Sequence, residues 1–170
     1  MKSKENIVFL GMMGSGKSSI GFLISKRLRM EFFDIDQCIE RDQDMKISKI
    51  FKEKGENYFR NIEQKITLQI LKKRGIVVAL GGGAFLNKNI RKEVIKNHFS
   101  IWLKVSSEIL LKRLKNAKNR PLAMNATKEE LIDLIKKRSN FYSRALYKVI
   151  CNNMSKTQII NKIIDIYENK

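Results

Sequence analysis

The sequence predicts a three-layer α/β domain, because short apolar runs alternate with longer segments of helical periodicity. The runs are rich in Ile, Val and Phe and are bounded by glycine or charge, which is typical of buried parallel strands. The predicted strands are residues 7–10, 32–35, 76–80, 100–105 and 147–151. Segments such as 18–30, 47–73 and 128–145 carry apolar residues at helical spacing. This alternation indicates right-handed crossovers and a ligand site at the carboxyl ends of the strands.

Length and composition favour a single domain spanning residues 1–170. The chain has 170 residues, of which 43% are hydrophobic, enough to bury one sizeable core. No stretch of about 18 apolar residues would span a membrane, and the N-terminus lacks the apolar region of a secretory signal. We therefore expect a cytoplasmic protein without a membrane partner.

The chain is strongly basic, with a formal net charge of +18. Its lysines are spread along the sequence without the interleaved aromatic residues of a single-strand binding surface, so we expect no nucleic-acid partner. The charge would still attract anionic substrates. Two cysteines and one histidine exclude a disulfide framework and make a structural zinc site very unfavourable.

The most specific motif is Gly-Met-Met-Gly-Ser-Gly-Lys-Ser at residues 11–18, which matches G-x-x-x-x-G-K-[ST] in full. It follows a predicted strand and precedes a predicted helix. Glycines let successive N–H groups point at phosphate oxygens, and the helix directs its positive dipole end to the same place. Lys17 would contact the β- and γ-phosphates, and the Ser18 hydroxyl would ligate Mg²⁺. The alternative is a glycine turn that binds nothing, and the motif alone indicates only a nucleoside triphosphate.

Two carboxylates, Asp34 and Asp36, end the second predicted strand. Residues two apart on a strand share a face, and a strand next to the phosphate loop would bring both to the phosphates. One would help hold Mg²⁺, and the other would orient and deprotonate an acceptor hydroxyl. The alternative is that Asp36 only caps the helix that follows.

Three later features complete the candidate site. Gly81, Gly82 and Gly83 follow a buried strand and leave bare backbone where a ligand can approach closely. Arg120 lies in the polar segment 116–127, which holds the chain's one proline and predicts a mobile loop that closes over phosphate. Arg138 follows on a predicted helix.

Together these motifs resemble those of the shikimate kinase family. The matching segments, in the family's order and at about its spacings, are 11–18, 33–36, 59–63, 81–83, 120–122 and 138–142. The resemblance runs from about residue 6 to residue 153. It implies transfer of the ATP γ-phosphoryl group to the 3-hydroxyl of shikimate, giving shikimate 3-phosphate and ADP on the route to chorismate and the aromatic amino acids. It also implies a P-loop NTPase fold with a five-stranded parallel sheet, a helical substrate-binding region at about 34–62 and a mobile lid at about 114–126.

The resemblance also implies the site residues. Catalytic roles are implied for Lys17, Asp36 and Arg120. ATP would bind at Gly14, Ser15, Gly16, Lys17, Ser18, Ser19, Arg113 and Arg120, with Arg113 stacking on adenine. Mg²⁺ would be served by Ser18 and Asp34. Shikimate would bind at Asp36, Phe51, Phe59, Arg60, Gly81, Gly82, Gly83 and Arg138, with both arginines on its carboxylate, which suits bidentate guanidinium groups.

The chain departs from the family's pattern at Ser19, Ala123, Asn140 and Arg144. These departures affect lid packing and the nucleotide side, and none removes a charged contact. We expect a monomer. Two alternatives stay open: another small-molecule kinase of this architecture, such as a gluconate kinase, and a non-catalytic basic P-loop protein that binds nucleotide or nucleic acid.

Overall fold

The structure, a computed structural model, describes residues 5–115 and 126–169. In these ranges five parallel strands form one sheet in the order β2-β3-β1-β4-β5. The strands are β1 (Ile7–Leu10), β2 (Glu31–Asp34), β3 (Ile76–Ala79), β4 (Phe99–Lys104) and β5 (Tyr147–Ile150). The helices are α1 (Lys17–Leu28), α2 (Ile35–Gln43), α3 (Ile47–Leu71), α4 (Lys88–Asn97), α5 (Ser107–Lys115), α6 (Lys128–Tyr142) and α7 (Lys156–Glu168), and a 3₁₀ turn spans Ala84–Leu86.

The centre of the sheet is apolar on both faces. Every residue of β1 and β3 is buried, as expected for parallel strands covered by helices on both sides. The two strands pair in register, with Ile7 opposite Val77 and Phe9 opposite Ala79. The pairing continues beyond β3, where Leu80 N donates to Phe9 O at 3.0 Å. The loops that follow β1 and β3 therefore start side by side.

The five predicted strands are confirmed, with bounds shifted by about one residue, and the three predicted helices correspond to α1, α3 and α6. The prediction for Asp36 was wrong in its local structure. β2 ends at Asp34, and Asp36 lies in the first turn of α2. β2 is also separated from β1 by β3, so the two carboxylates do not share a strand face next to the phosphate loop.

The alternative, in which Asp36 caps the helix, is also wrong. Asp34 is the N-cap of α2, and its Oδ1 accepts a hydrogen bond from Gln37 N at 3.3 Å. An aspartate at this position satisfies an amide that the first helical turn leaves open. Asp36 lies in the first turn of α2 and is not its N-cap.

The long helix α3 is broken at Gly55, whose φ of 81° and ψ of 170° are not helical. Glycine tolerates this conformation because it has no Cβ. The segment after the break begins at Glu56. Glu56, Arg60 and Glu63 follow at helical spacing, so their side chains share one face.

Helices of the described ranges are each too short or too polar to cross a membrane. Arg120, Ala123 and most of the predicted lid lie outside the described residues.

Candidate active site

The loop between β1 and α1 has the backbone that a phosphate cradle needs. Gly11, Gly14 and Gly16 have φ angles of 142°, 79° and 96°, which residues with a side chain rarely adopt. Gly11 is also required by space, because a Cβ there would lie 2.8 Å from the carbonyl oxygen of Leu103 on β4. Gly16 caps α1 without a side-chain hydrogen bond. The first amides of α1 are thus positioned to bind an anion.

Lys17 is folded onto this loop. Only 7% of the residue is exposed, and its Nζ donates to the carbonyl oxygens of Gly11 at 2.9 Å and Met12 at 3.0 Å. Beside it, the buried hydroxyl of Ser15 has no hydrogen-bond partner among residues 5–115 and 126–169. Buried polar groups normally have a hydrogen-bond partner, and a bound phosphate would supply one here. The Lys17 charge and the unpartnered Ser15 hydroxyl thus lie where the motif predicts phosphate.

Three other predicted nucleotide-side residues border the loop. Ser18 is exposed and Ser19 is half-buried, both in the first turn of α1. Arg113 on α5 donates from Nη1 to the carbonyl oxygen of Gly14 at 2.8 Å. This bond ties α5 to the loop, and stacking of Arg113 on adenine stays a prediction.

The three glycines after β3, here called the glycine run, lie against four charged side chains. A Cβ on Gly81 would lie 2.8 Å from Asp36 Oδ1 and 2.7 Å from Glu63 Oε1. Contacts under 3.0 Å are not tolerated by real side chains, so both carboxylates occupy space that only glycine leaves open. They reach this point from α2 and α3.

The other two glycines meet the two predicted arginines. A Cβ on Gly82 would lie 3.3 Å from Arg138 Nη1, and one on Gly83 would lie 2.6 Å from Arg60 Nη1. The structure therefore brings Asp36, Arg60 and Arg138 together on the glycine run. Gly82 also adjoins the phosphate loop, because its Cβ would lie 3.3 Å from Met13 N.

Arg138 is a buried cation, with 3% of the residue exposed. Its Nη1 lies 3.7 Å from Met12 Sδ, and its Nε has no hydrogen-bond partner in the described part of the chain. The neighbouring Tyr142 donates its hydroxyl proton to the Gly82 carbonyl oxygen. Burial raises the pKa of Tyr142 to about 12, so the phenol stays a donor. Arg138 therefore has bonding capacity left for an anion.

Arg60, by contrast, is bonded to two carboxylates. Nη1 donates to Glu63 Oε2 at 2.7 Å, while Nε and Nη2 donate to Glu56 Oε1 at 3.2 and 3.1 Å. Burial raises the pKa of Glu63, and the Arg60 charge opposes that shift. The Arg60 guanidinium also lies 5.1 Å from the Phe59 ring centroid, within the range of a cation–π contact.

Phe51 and Phe59 form an aromatic pair beside Arg60. Their ring centroids are 4.7 Å apart. Phe59 is buried and Phe51 is half-buried, which fits the predicted apolar wall of a substrate pocket. The exposed Asn140 and Arg144, two of the departures, lie at the end of α6 and just beyond it.

Four residues that contact this cluster had no role predicted from the sequence. These are Met12, Glu56, Glu63 and Tyr142. The spacing of Glu56, Arg60 and Glu63 was visible in the sequence, because residues four and three apart on a helix are neighbours. The contacts of Met12 and Tyr142 join separate elements and have no local signal.

Comparison with known proteins decides the family. A family model described as shikimate kinase matches residues 13–168. The chain belongs to the shikimate kinase family. Among curated relatives, the shikimate kinase of Sulfurihydrogenibium sp. is 39% identical over 160 residues, which cover 94% of this chain and 96% of the relative. The shikimate kinase of Bartonella quintana is 39% identical over 98% of this chain and 80% of its own length.

Solved structures agree with the family. Shikimate kinase from Acinetobacter baumannii in complex with shikimate superposes with a TM-score of 0.92 at 32% identity, covering 98% of this chain and 95% of that one. A gluconokinase from Sinorhizobium meliloti, at 15% identity and a TM-score of 0.56, covers 99% of this chain and 97% of its own, and shares the fold alone. Family membership makes this chain an ATP-dependent kinase, and it counts against both alternatives left open by the sequence.

Proposed function

We propose that this chain transfers the γ-phosphoryl group of ATP to the 3-hydroxyl of shikimate, giving shikimate 3-phosphate and ADP in chorismate and aromatic amino-acid biosynthesis. The observation that carries the proposal is the convergence of Asp36, Arg60 and Arg138 on the glycine run, next to the phosphate loop. A site with two guanidinium groups and a carboxylate suits a small anion that also carries hydroxyls.

On the acceptor side, Arg138 and Arg60 bind the substrate's carboxylate. Arg138 is buried and keeps an Nε without a hydrogen-bond partner in the described residues, so an incoming anion removes an unfavourable state. The N–H of Gly82 is offered to the same substrate, and Phe51 and Phe59 line its apolar side. Asp36 accepts hydrogen bonds from the hydroxyls and takes the proton of the one that attacks.

On the nucleotide side, the amides of residues 14–19 hold the phosphates. Lys17 exchanges the carbonyl oxygens of Gly11 and Met12 for phosphate oxygens, because an anion is the stronger partner. Phosphoryl transfer depends mainly on positioning and charge neutralisation. We assign further neutralisation to Arg120 and adenine contact to Arg113.

The residues present fit a Mg²⁺ ion. Ser18 has an exposed hydroxyl, and Asp34 is a carboxylate that commits one oxygen to its cap. Mg²⁺ prefers oxygen ligands and is held by few protein groups beside the phosphates. Ser18 and Asp34 would hold it, and when bound the ion neutralises phosphate charge.

The domain description also stays a proposal: one kinase domain over residues 1–170, with a substrate-binding region at about 34–62 and a lid at about 114–126. A cytoplasmic location and a monomeric state are predictions of the same standing.

Coupled ADP release tests the function. Purified protein with ATP and Mg²⁺ is given shikimate, quinate or gluconate, with Lys17→Met as the blank. We expect kcat/KM for shikimate to exceed that for the other two acceptors by about 100-fold or more, since unmatched polar groups in a hydrogen-bonding site are strongly rejected. Equal rates with gluconate, or ADP release that ignores the acceptor, would overturn the proposal.

A further inference from the structure

The two arginines that face the glycine run differ in how their hydrogen-bonding capacity is used. Arg138 contacts Met12 Sδ from Nη1 at 3.7 Å and also interacts with the hydroxyl of Tyr142, and its Nε has no hydrogen-bond partner within residues 5–115 and 126–169. Arg60 makes three hydrogen bonds to two carboxylates. A guanidinium has five N–H donors. Arg138 therefore has N–H donors left for an incoming carboxylate, whereas most donors of Arg60 already bind the two glutamates.

The two carboxylates on Arg60 are held differently. The Glu63 side chain is 2% exposed and accepts at 2.7 Å. The Glu56 side chain is 53% exposed, and a single oxygen accepts at 3.1 and 3.2 Å. Partly exposed ion pairs are weak, because water competes for both partners. Glu63 is therefore a fixed partner of Arg60, and Glu56 is an exchangeable one.

The backbone around Glu56 also favours exchange. Glu56 directly follows Gly55, where α3 breaks, and among the described residues only its chain neighbours and its own helix come within 4 Å of where a Cβ of Gly55 would be. Because the Glu56 side chain is about half exposed, its carboxylate can turn into solvent. Glu63 has no such freedom, because its Oε1 lies against Gly81 in the buried part of the cluster.

We propose that Glu56 is a displaceable occupant of Arg60, and that the carboxylate of the substrate takes its place on binding. The inference rests on the proposed function. Before substrate binds, Glu56 shares Arg60 with Glu63 and occupies the donors that would otherwise hold other anions. When substrate binds, the exchange reduces affinity, because the bonds to Glu56 must break first and two like charges come close. Glu56 thus sets how strongly the site depends on the substrate's carboxylate.

Replacing Glu56 by Gln tests the exchange, because the side chain keeps its shape and loses its charge. An exposed ion pair is worth about 0.2–1 kcal/mol, so we expect the Kd for shikimate to fall by about 1.4- to fivefold. The methyl ester of shikimate has no carboxylate to exchange, and its Kd should not change. The ordinary role of such a pair, support of its own helix, predicts no gain for either ligand.

The measurement is calorimetric titration of wild type, Glu56→Gln and Glu53→Gln with shikimate and with its methyl ester, without ATP. Glu53 is the matched control, since it pairs with Lys49 at 3.7 Å on the part of α3 before the break at Gly55 and its replacement removes the same charge. A gain seen only for Glu56→Gln and only with shikimate supports the inference. The inference is overturned if the Kd of Glu56→Gln for shikimate rises or stays unchanged. It is also overturned if affinity increases equally in Glu53→Gln or for the ester. Each of these results leaves the proposed function intact. Failure of wild type to bind shikimate removes both.

Discussion

Glu63 accepts a hydrogen bond from Arg60 at 2.7 Å, and its other carboxylate oxygen lies against Gly81. The buried carboxylate therefore fixes the guanidinium where the glycine run can receive a substrate. Glu63 acts through Arg60, so we regard it as a positioning residue. Its role differs from that of Glu56, which shares the same guanidinium from the solvent side.

Replacement of Glu63 by Ala should release Arg60 from the glycine run. Because a hydrogen bond between charged groups contributes about 1.5–3 kcal/mol, we expect the KM for shikimate to rise by about tenfold or more. The KM for ATP should stay near its wild-type value. Glu63→Gln should recover part of the loss, since its amide oxygen can still accept from Arg60. Initial-rate kinetics check this, and equal KM values in wild type and Glu63→Ala would contradict the positioning role.

The free energy of unfolding should depend on pH through the buried carboxyl group of Glu63. Burial raises the pKa of Glu63, with Arg60 opposing. A carboxyl whose pKa is higher in the folded state binds its proton more tightly there. Its contribution to stability is therefore fully present below the unfolded pKa of about 4.3 and is lost as pH rises through the folded pKa.

We therefore expect the free energy of unfolding of wild type to fall relative to that of Glu63→Gln as pH rises from about 4 to about 8. Urea denaturation of both proteins across this range measures the difference. Other carboxyl groups titrate in both proteins, so the comparison isolates Glu63. A difference that stays constant with pH would show that the pKa of Glu63 is the same in the folded and unfolded states.

Asp36 is the proposed acceptor of the hydroxyl proton. Asp36→Asn keeps the shape of the side chain and removes the base, so kcat should fall by about 10²- to 10⁴-fold, the usual contribution of general acid–base catalysis. ATP binding, measured by calorimetry, should change little. Unchanged turnover in the coupled assay would exclude this role for Asp36.

Gly83 tests the steric fit of the glycine run. Its φ of −103° is open to any residue, but an added Cβ would lie 2.6 Å from Arg60 Nη1 and 2.8 Å from Nη2. Gly83→Ala should push Arg60 away, and we expect the Kd for shikimate to rise by about tenfold or more, with little change in ATP binding. Calorimetry measures both constants, and urea denaturation controls for loss of folding. Shikimate binding at wild-type strength would mean that Arg60 does not bind the substrate from its observed position.

The elements of the fold were predictable because the sheet is buried on both faces. Its strands appear in the sequence as apolar runs between glycines and charges. The predicted strand 32–35 included Ile35, which is the first residue of α2. This error has the same cause, since a buried residue that starts a helix resembles the last residue of a buried strand. Strand order is set by contacts distant in sequence, so the insertion of β3 between β2 and β1 left no local trace.

The site was predictable in its parts and less so in its arrangement. The phosphate loop is formed by contiguous residues, so its sequence motif alone predicts its structure. The resemblance supplied Arg60 and Arg138 as a pair. Their unequal bonding depends on Glu56 and Glu63, which lie on the same helix as Arg60, and on Met12, which meets Arg138 from the phosphate loop. Periodicity can place a side chain on a helix face, yet it does not report which partner meets it across the fold.

In the proposed function, Arg138 is the main residue that binds the carboxylate of the acceptor. This role is tested most directly by comparing shikimate with its methyl ester in wild type and Arg138→Ala, with circular dichroism to confirm folding. Loss of one partner from a buried charge pair costs about 2–5 kcal/mol, so esterification should reduce kcat/KM in wild type by roughly 30-fold or more. In Arg138→Ala the same esterification should cost at least about tenfold less, because the main partner of the carboxylate is gone. An equal loss in both proteins would contradict the claim.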